Sequence, residues 1–515
     1  MFSTVMSACV TGMESNLVYV EADVSNGMPQ FEMVGYLSGE VKEAKERVRA
    51  AIRNTGIQMP PKRITINLSP ADLRKSGSLF DLAIAGALLA ALGVIDGGNL
   101  ENILIVGEMS LNGEIKPVKG VLPMAFAAQR YECKRFIVPK ANAKEAAVVK
   151  ELEVIGVETL GDFIAFMKNQ KKFEKESINI EEIFHKQNEL YTIDFREING
   201  QIPAKRASEI ASAGMHNILY IGPPGSGKTM LAKRLPTILP PISLEESIEI
   251  TKILSISGDL NHEFPLVIQR PFRNPHHTIT KTALIGGSAS VKPGEVSLSH
   301  RGILFLDELP EFNKSVLESL RQPLEDKRVN ISKATRSYQF PSNVMLAAAM
   351  NPCACGYYPD MNKCRCTETN VLHYLNRISG PFLDRIDICI EMPQMKYEEL
   401  IPISKGGGQN ESSKTIRERV IRAHQRQAKR YEGTDIFFNS NLTGAQIHEY
   451  CRLSKEVQAY AKKIFNKLDL SARVYHRILK VARTIADLEG AKEIEISHIG
   501  EALCYKTMDK KYWKR

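Results

Sequence analysis

The pattern of apolar and polar positions changes character twice along the chain. Up to residue 167, strand-length apolar runs at 17–24, 63–68, 103–106 and 135–138 are interleaved with helical spacing at 40–54, 79–92 and 123–128. That mixture predicts an α+β or α/β domain. From 189 to 400 the short runs HNILYIG, GILFLDE and VMLAAAMN are apolar throughout, without alternation. Such strands suit a parallel sheet covered by helices on both faces. From 414 to 510 nearly everything has helical period, in pieces at 415–431, 443–450, 454–467 and 472–488. Two stretches read as linkers between these regions: the charged 168–188, KNQKKFEKESINIEEIFHKQN, and the Gly/Ser-rich 403–413, ISKGGGQNESS.

The chain has 515 residues, room for roughly three domains of about 150 residues. With 43% hydrophobic and 25% charged residues it can bury cores without disulfide staples. The start, MFSTVMSACVTGMESN, lacks the basic-then-apolar order of a signal peptide. The longest apolar stretch, 82–95, is shorter than the ~18 residues of a membrane span and predicts a buried helix. Five scattered cysteines (Cys9, Cys133, Cys389, Cys451, Cys504) read as reduced core residues, which points to the cytoplasm and no membrane. Net charge is +9, unevenly placed: residues 401–515 carry 23 Lys+Arg against 13 Asp+Glu, so the basic excess lies in the C-terminal fifth. That suits either a phosphate-facing surface or a solvated helical face with a basic tail.

The chemistry starts at Gly222-Pro223-Pro224-Gly225-Ser226-Gly227-Lys228-Thr229, a G-x-x-x-x-G-K-[ST] phosphate loop between the apolar NILYI and the helical TMLAKRL. Its backbone N–H groups can close around phosphates, Lys228 can reach the β- and γ-phosphates, and Thr229 can hold Mg²⁺. Ile303–Leu306 runs into Asp307 and Glu308. Asp307 would support Mg²⁺ and Glu308 would polarise the attacking water; a pure binding switch needs no second acid. The run VMLAAAM ends in Asn351, placed to reach the γ-phosphate or the water.

These elements resemble the AAA+ ATPases: an α/β class P-loop core whose parallel sheet lies between helices, with Asn351 as sensor 1. Arg385, in FLDRIDI, matches the position of an arginine finger inserted into a neighbouring subunit, with Arg377 a second candidate. Arg473, in SARVYHRILKVARTIADL, resembles sensor 2, a lid arginine facing the nucleotide. The stretch RPFRNPHHTITKTALIGGSASVKPGEVSLSHRG falls where one AAA+ clade inserts a hairpin into helix 2. Together with LFLDELPEF, SGPFLDRIDI, FEMVGYLSGEVKEAKERVRAAIRNTG and NLSPADLRKSGSLFDLAIA, it makes the whole chain resemble the magnesium-chelatase-like ComM/YifB family. The resemblance implies three parts: a Lon-protease-like, ribosomal-S5-type domain over 1–167, an AAA+ ATPase domain over 189–400 with the helix-2 insert and the cysteine loop, and a C-terminal helical lid over 414–510. It implies an ATP- and Mg²⁺-dependent homohexamer acting on single-stranded, forked or branched DNA by helicase or branch-migration activity. Homologous recombination, with recombination proteins as partners and natural transformation as one setting, is the implied context; tetrapyrrole metallation is not. Rival readings are a protein-remodelling ATPase, a Lon-like protease and a DNA-binding module whose ATPase only controls assembly.

Proteolysis meets a chemical objection. The serine of the Lon-like domain corresponds to Leu79, and its lysine to Leu122 or Met124, so neither nucleophile nor activating amine is present. Ser78 and Lys119 could form a dyad only in a shifted alignment.

Four of the nine cysteines, Cys353, Cys355, Cys364 and Cys366, fall within NPCACGYYPDMNKCRC directly after Asn351. Two close pairs across a short loop suggest a four-thiolate structural Zn²⁺ site. Redox-active or unliganded thiols and two disulfides are the alternatives. Adjacent His276 and His277 cannot easily share one metal and read as structural or DNA-contacting, with Lys281, Lys292 and Arg301 supplying positive charge nearby.

Overall fold

A computed structural model describes residues 1–185, 191–261, 263–287, 291–333, 336–395 and 410–513. Residues 186–188 and 403–409 of the two expected linkers lie outside the described residues. The chain forms two compact units, each discontinuous in sequence: one from Met1–His185, Leu244–Ile268 and Ser332–Gln339, the other from Lys186–Ser243, Gln269–Ile331 and Phe340–Arg515.

The first unit is built on a seven-stranded mixed sheet. Its strands run, edge to edge, Gln30–Val34, Arg63–Ser69, Glu14–Ser25, Phe2–Thr11, Ile103–Ile105, Arg135–Pro139 and Glu153–Val157. The hairpin Phe2–Thr11/Glu14–Ser25 is antiparallel, and the last three strands are parallel to one another. The helix Asp81–Ala91 is apolar almost all round and is buried accordingly, as the run at 82–95 predicts. Its one acid, Asp81, is fully buried and accepts two hydrogen bonds from Arg47, at 2.7 and 2.9 Å. Burial raises the Asp81 pKa and Arg47 opposes that rise. The charged stretch after residue 168 does not hang free: Phe173 packs edge-on against Phe166, Lys171 pairs with Asp162, and Ile178, Ile180 and Phe184 cover Leu122, Val148 and Leu266.

The same unit takes in the helix Leu244–Ser257. Gly120 N–H donates to Ser255 O at 3.0 Å, Ser255 Oγ donates to Glu145 at 2.5 Å, and Lys252 lies over the Phe126 ring at 3.8 Å.

The second unit holds a five-stranded, all-parallel sheet in the order Phe272–Arg273, Ile303–Leu306, Met345–Met350, Ile218–Ile221, Ile388–Glu391. Every residue of the three central strands is buried, which is why they read as unbroken apolar runs. C-terminal helices Ser413–Arg430, Gly444–Tyr450, Lys455–Lys467, Ala472–Glu489 and Ile496–Trp513 follow. One apolar core runs from the sheet into these helices, joining Ile218, Phe305 and Ala347 to Val420, Ile478 and Ile485. A buried polar knot ties the helices together: Asp487 accepts from Arg430, Arg483 and Asn439, and Asn439 Nδ2 also donates to Thr484.

Candidate ATPase site and cysteine cluster

Parallel strands bring their C-terminal ends to one edge, where ligands of open α/β sheets bind. Ile221 pairs with Met350 and with Glu391, so Gly222, Asn351 and Met392 emerge together there. Gly222 N–H donates to Met350 O at 3.2 Å and Met392 N–H donates to Ile221 O at 2.7 Å. A Cβ on Gly222 would stand 2.3 Å from Met392 O, so the phosphate loop can leave its strand only through glycine.

From that loop the helix Lys228–Arg234 departs, continued by the turn Leu235–Ile238. Lys228 Nζ donates to Gly222 O and Pro223 O, both at 2.8 Å, and to Asn351 Oδ1 at 3.1 Å. Desolvation draws its pKa down to about 8, against the opposing pull of Asp307. Thr229 Oγ1 donates to Asp307 Oδ2 at 2.8 Å. This pairs the hydroxyl and carboxylate that together hold Mg²⁺ in P-loop sites, so the residues present fit that ion. Glu308 follows in the left-handed region at φ +52°, its side chain 64% exposed and its carboxylate 3.8 Å from His277 Nδ1. Walker A, Asp307, Glu308 and Asn351 are thus assembled at one edge.

Arg385 and Arg473 are not at that edge. They line one cavity of 620 Å³ with Asn217, Lys327, Asp387, Arg477 and Lys480. Asn217 precedes Ile218 and Asp387 precedes Ile388, so this cavity opens at the N-terminal ends of the strands. A four-residue strand, about 13 Å long, separates it from the phosphate loop. Arg473, expected to face the nucleotide, therefore does not face the phosphate loop of its own chain. It is exposed and makes no hydrogen bond or ion pair with a described residue. Arg385 is held instead: Nε donates to Arg321 O at 3.0 Å, Nη1 to Pro381 O at 2.5 Å, and Nη2 pairs with Glu325. Arg377 pairs with Glu311 at 3.0 Å. Lys327, which the sequence did not single out, lies in the same cavity with its pKa drawn down to about 8 by burial, Asp387 opposing.

The four cysteines converge. Their Sγ atoms all lie within 4.8 Å of one another, with Cys353–Cys355 at 3.4 Å, Cys355–Cys364 at 3.5 Å and Cys353–Cys364 at 3.8 Å. A tetrahedron of thiolates at the Zn–S distance of about 2.3 Å has edges of about 3.8 Å, so the cage fits a metal. The same separations are far beyond a disulfide bond of about 2.05 Å, and all four thiols are free. Burial acts to raise the Cys355 thiol, but backbone N–H groups of Tyr357 and Arg365 and the neighbouring thiols bring it down to about 6. Burial pushes Cys364 up to about 12.

Other expected residues part company. Arg301 is buried, with its guanidinium 4.2 Å over the Phe437 ring, so it adds no surface charge to the insert; Lys281 and Lys292 are exposed. In the first unit Ser78 Oγ donates to Glu108, Lys119 Nζ donates to Ser257 O at 3.1 Å, and Leu122 and Met124 are fully buried. No Ser78–Lys119 dyad forms. Sequence reasoning also missed Gln201, whose amide donates to Ser226 O at 3.3 Å and Pro393 O at 2.8 Å beneath the phosphate loop. A polar residue at a left-handed position (φ +52°) heading a helix carries no motif by which it could have been found.

Three family models cover most of the chain: magnesium chelatase, subunit ChlI, over residues 194–400; subunit ChlI of Mg-chelatase over 20–142; and the ChlI C-terminal region over 410–506. Competence protein ComM of Haemophilus influenzae is 42% identical over 506 residues, 98% of this chain and 97% of its own. The uncharacterized protein YifB of Salmonella typhimurium is 42% identical over 504 residues, 97% of this chain and 96% of its own. A Lon protease of Mycolicibacterium smegmatis is 29% identical over 168 residues, 30% of this chain and 21% of its own, a weak likeness in the N-terminal region. The parallel-sheet core with its Walker loop, the helical C-terminal region and full-length identity to both relatives lead to one conclusion: this chain belongs to the ComM/YifB family of magnesium-chelatase-type AAA+ proteins.

Proposed function

We propose that the chain is an ATP-hydrolysing AAA+ motor that assembles as a homohexamer and moves along DNA, migrating forks or branches during homologous recombination. The observation that carries this reading is the division of one ATPase site between two edges of the sheet. Lys228, Thr229, Asp307, Glu308 and Asn351 occupy the C-terminal edge, while Arg385 and Arg473 occupy the other. The two arginines can complete a site only on a neighbouring copy, which supports a ring.

In that ring Lys228 binds the β- and γ-phosphates, giving up its bonds to Gly222 O and Pro223 O. Thr229 and Asp307 would hold Mg²⁺, which would offset the charge of the phosphates. Glu308 orients the attacking water and takes its proton. Asn351, already bonded to Lys228, aligns water and γ-phosphate. Arg385 and Arg473 of the adjacent copy meet the charge that builds in the transition state; Arg385 must first leave Glu325. The cysteine cage would hold a structural Zn²⁺, which would fix a loop too small to build a core. The first unit, with no serine–lysine dyad, serves structure or contact with DNA rather than peptide cleavage.

DNA is favoured over a protein substrate by the helix Lys455–Lys467. Lys455, Lys462, Lys463 and Lys467 are all exposed and none pairs with a described acid. Some of the remaining C-terminal charge is taken up in ion pairs, by Arg419, Arg430, Arg477, Arg483 and Lys511.

The test is ATP turnover by the purified chain without nucleic acid and with single-stranded, duplex, forked and four-way DNA, with Lys228→Ala as the blank. Stimulation strongest on forks or junctions supports the branch motor. Turnover indifferent to every DNA overturns it in favour of a protein-remodelling machine.

A further inference from the structure

The cysteine loop does more than follow the sensor strand: it lies on the phosphate loop. Gly356, between the two cysteine pairs, is buried at φ +88°, and a Cβ placed on it would stand 2.5 Å from Cδ and 2.9 Å from Cγ of Pro224. Pro224 is the third residue of the Walker A loop. Gly356 is itself fixed from the cage, its N–H donating to Cys353 O at 3.0 Å. On the other side of the loop Lys363 Nζ donates to Gln394 Oε1 at 3.0 Å. Gln394 follows Pro393, whose carbonyl accepts from Gln201, and Gln201 also bonds Ser226 O of Walker A. At the loop's root stands Asn351, the partner of Lys228. Between Asn351 and Thr367 there is neither helix nor strand, only turns. No ladder runs through this segment; the cysteine cage joins its two ends, helped by a few turn hydrogen bonds and the Lys363–Gln394 contact.

We propose that the cysteine cage is a positioning element for nucleotide binding: metal held by Cys353, Cys355, Cys364 and Cys366 seats Gly356 on Pro224 and so presets the phosphate loop for ATP. The proposal rests on the reading that the thiolates hold zinc. With the metal in place, the loop is already ordered when nucleotide arrives. With the metal removed, ordering the sixteen-residue loop falls on nucleotide binding, and affinity drops. Linkage makes the effect reciprocal: bound nucleotide tightens the hold on the metal by the same factor. Gly356 acts through Pro224 and touches no substrate atom itself.

The experiment uses the full chain, purified under reductant, and first counts zinc per chain. Fluorescent ATP binding is then titrated before and after removal of metal with a zinc-selective chelator, at fixed excess Mg²⁺, and again after zinc is restored. The expected result is one zinc per chain and a nucleotide Kd about ten-fold weaker without it, restored by zinc. A second arm keeps all four cysteines. Gly356→Ala puts a methyl group against the Pro224 ring; it should leave zinc at one per chain, raise the KM for ATP and change kcat little. Pro224→Ala in the same chain removes the ring carbons that the methyl strikes and should recover part of the lost affinity. A chain that holds one zinc and binds ATP equally well with and without it overturns the coupling. A chain without metal overturns the zinc reading on its own terms. In that case an unchanged KM in Gly356→Ala also overturns the contact, while a raised KM rescued by Pro224→Ala upholds it.

Discussion

Lys228 is a cation in a place that disfavours cations. Burial brings its pKa down to about 8, and its amine donates to two carbonyls, an amide oxygen and the Ser226 hydroxyl rather than to a carboxylate. Phosphate oxygens favour the charged amine and raise that pKa. ATP binding near pH 8 should therefore take up a proton, and affinity should weaken as pH rises through about 8. Titration calorimetry in two buffers of different ionisation heat reads the uptake directly; equal heats in both would mean that Lys228 is already fully charged. Glu308 poses a different question, since its exposed carboxylate binds no phosphate. Glu308→Gln should hold ATP as tightly as the parent chain but turn it over about 100-fold or more slowly, because an amide cannot take the water's proton. Normal turnover would remove Glu308 from the role of base. Both residues were legible because phosphate-loop chemistry needs fixed residue types at fixed spacing. Gln201 and Lys327 were not, because what places them is the packing of segments distant in sequence.

At the scale of elements, the central strands of the parallel sheet were the plainest part of the sequence: burial on both faces leaves no polar position to blur the run. The strand Phe2–Thr11 passed unnoticed. Its polar Ser3 and Ser7 are buried, and Ser3 Oγ donates to Ala87 O, so its pattern reads as neither alternating nor apolar. The lid's basic character divides once its partners are seen. Asp487, fully buried, holds Arg430 and Arg483. Asp487→Ala would leave both cations without it, and should cost about 3–5 kcal/mol of stability, read as a lower urea midpoint. The helix Lys455–Lys467 is the opposite case, since its lysines gain nothing from the fold. Lys462→Ala, Lys463→Ala and Lys467→Ala combined should leave the melting temperature near that of the parent chain. They should weaken DNA binding and make log K fall less steeply with log salt, by about one in slope for each phosphate no longer neutralised. An unchanged slope would move the DNA surface elsewhere.

For the whole molecule, the separation of Arg473 from its own phosphate loop makes mixing experiments decisive. Lys228→Ala chains keep Arg473, and Arg473→Ala chains keep Walker A. Each alone should turn over little ATP. Mixed and reassembled, they should recover activity at interfaces where an intact phosphate loop meets an intact arginine. Arginines acting within their own subunit would give no recovery at any ratio. The sequence could name the arginine but not its direction: that depends on which edge of the sheet the lid covers, and no local pattern records it.

The first unit is assembled from three separate stretches of chain, with the helix Leu244–Ser257 contributed from between the Walker loop and the insert. Ile248 on that helix packs with Leu122, Val148 and Leu266. Cutting the chain after residue 167 would strip that helix of the partners it was shaped to meet. The consequence is one for dissection: no single cut separates this unit from the rest of the chain, and a fragment starting at residue 168 would carry Ile248 and Leu266 without the Leu122 and Val148 that cover them.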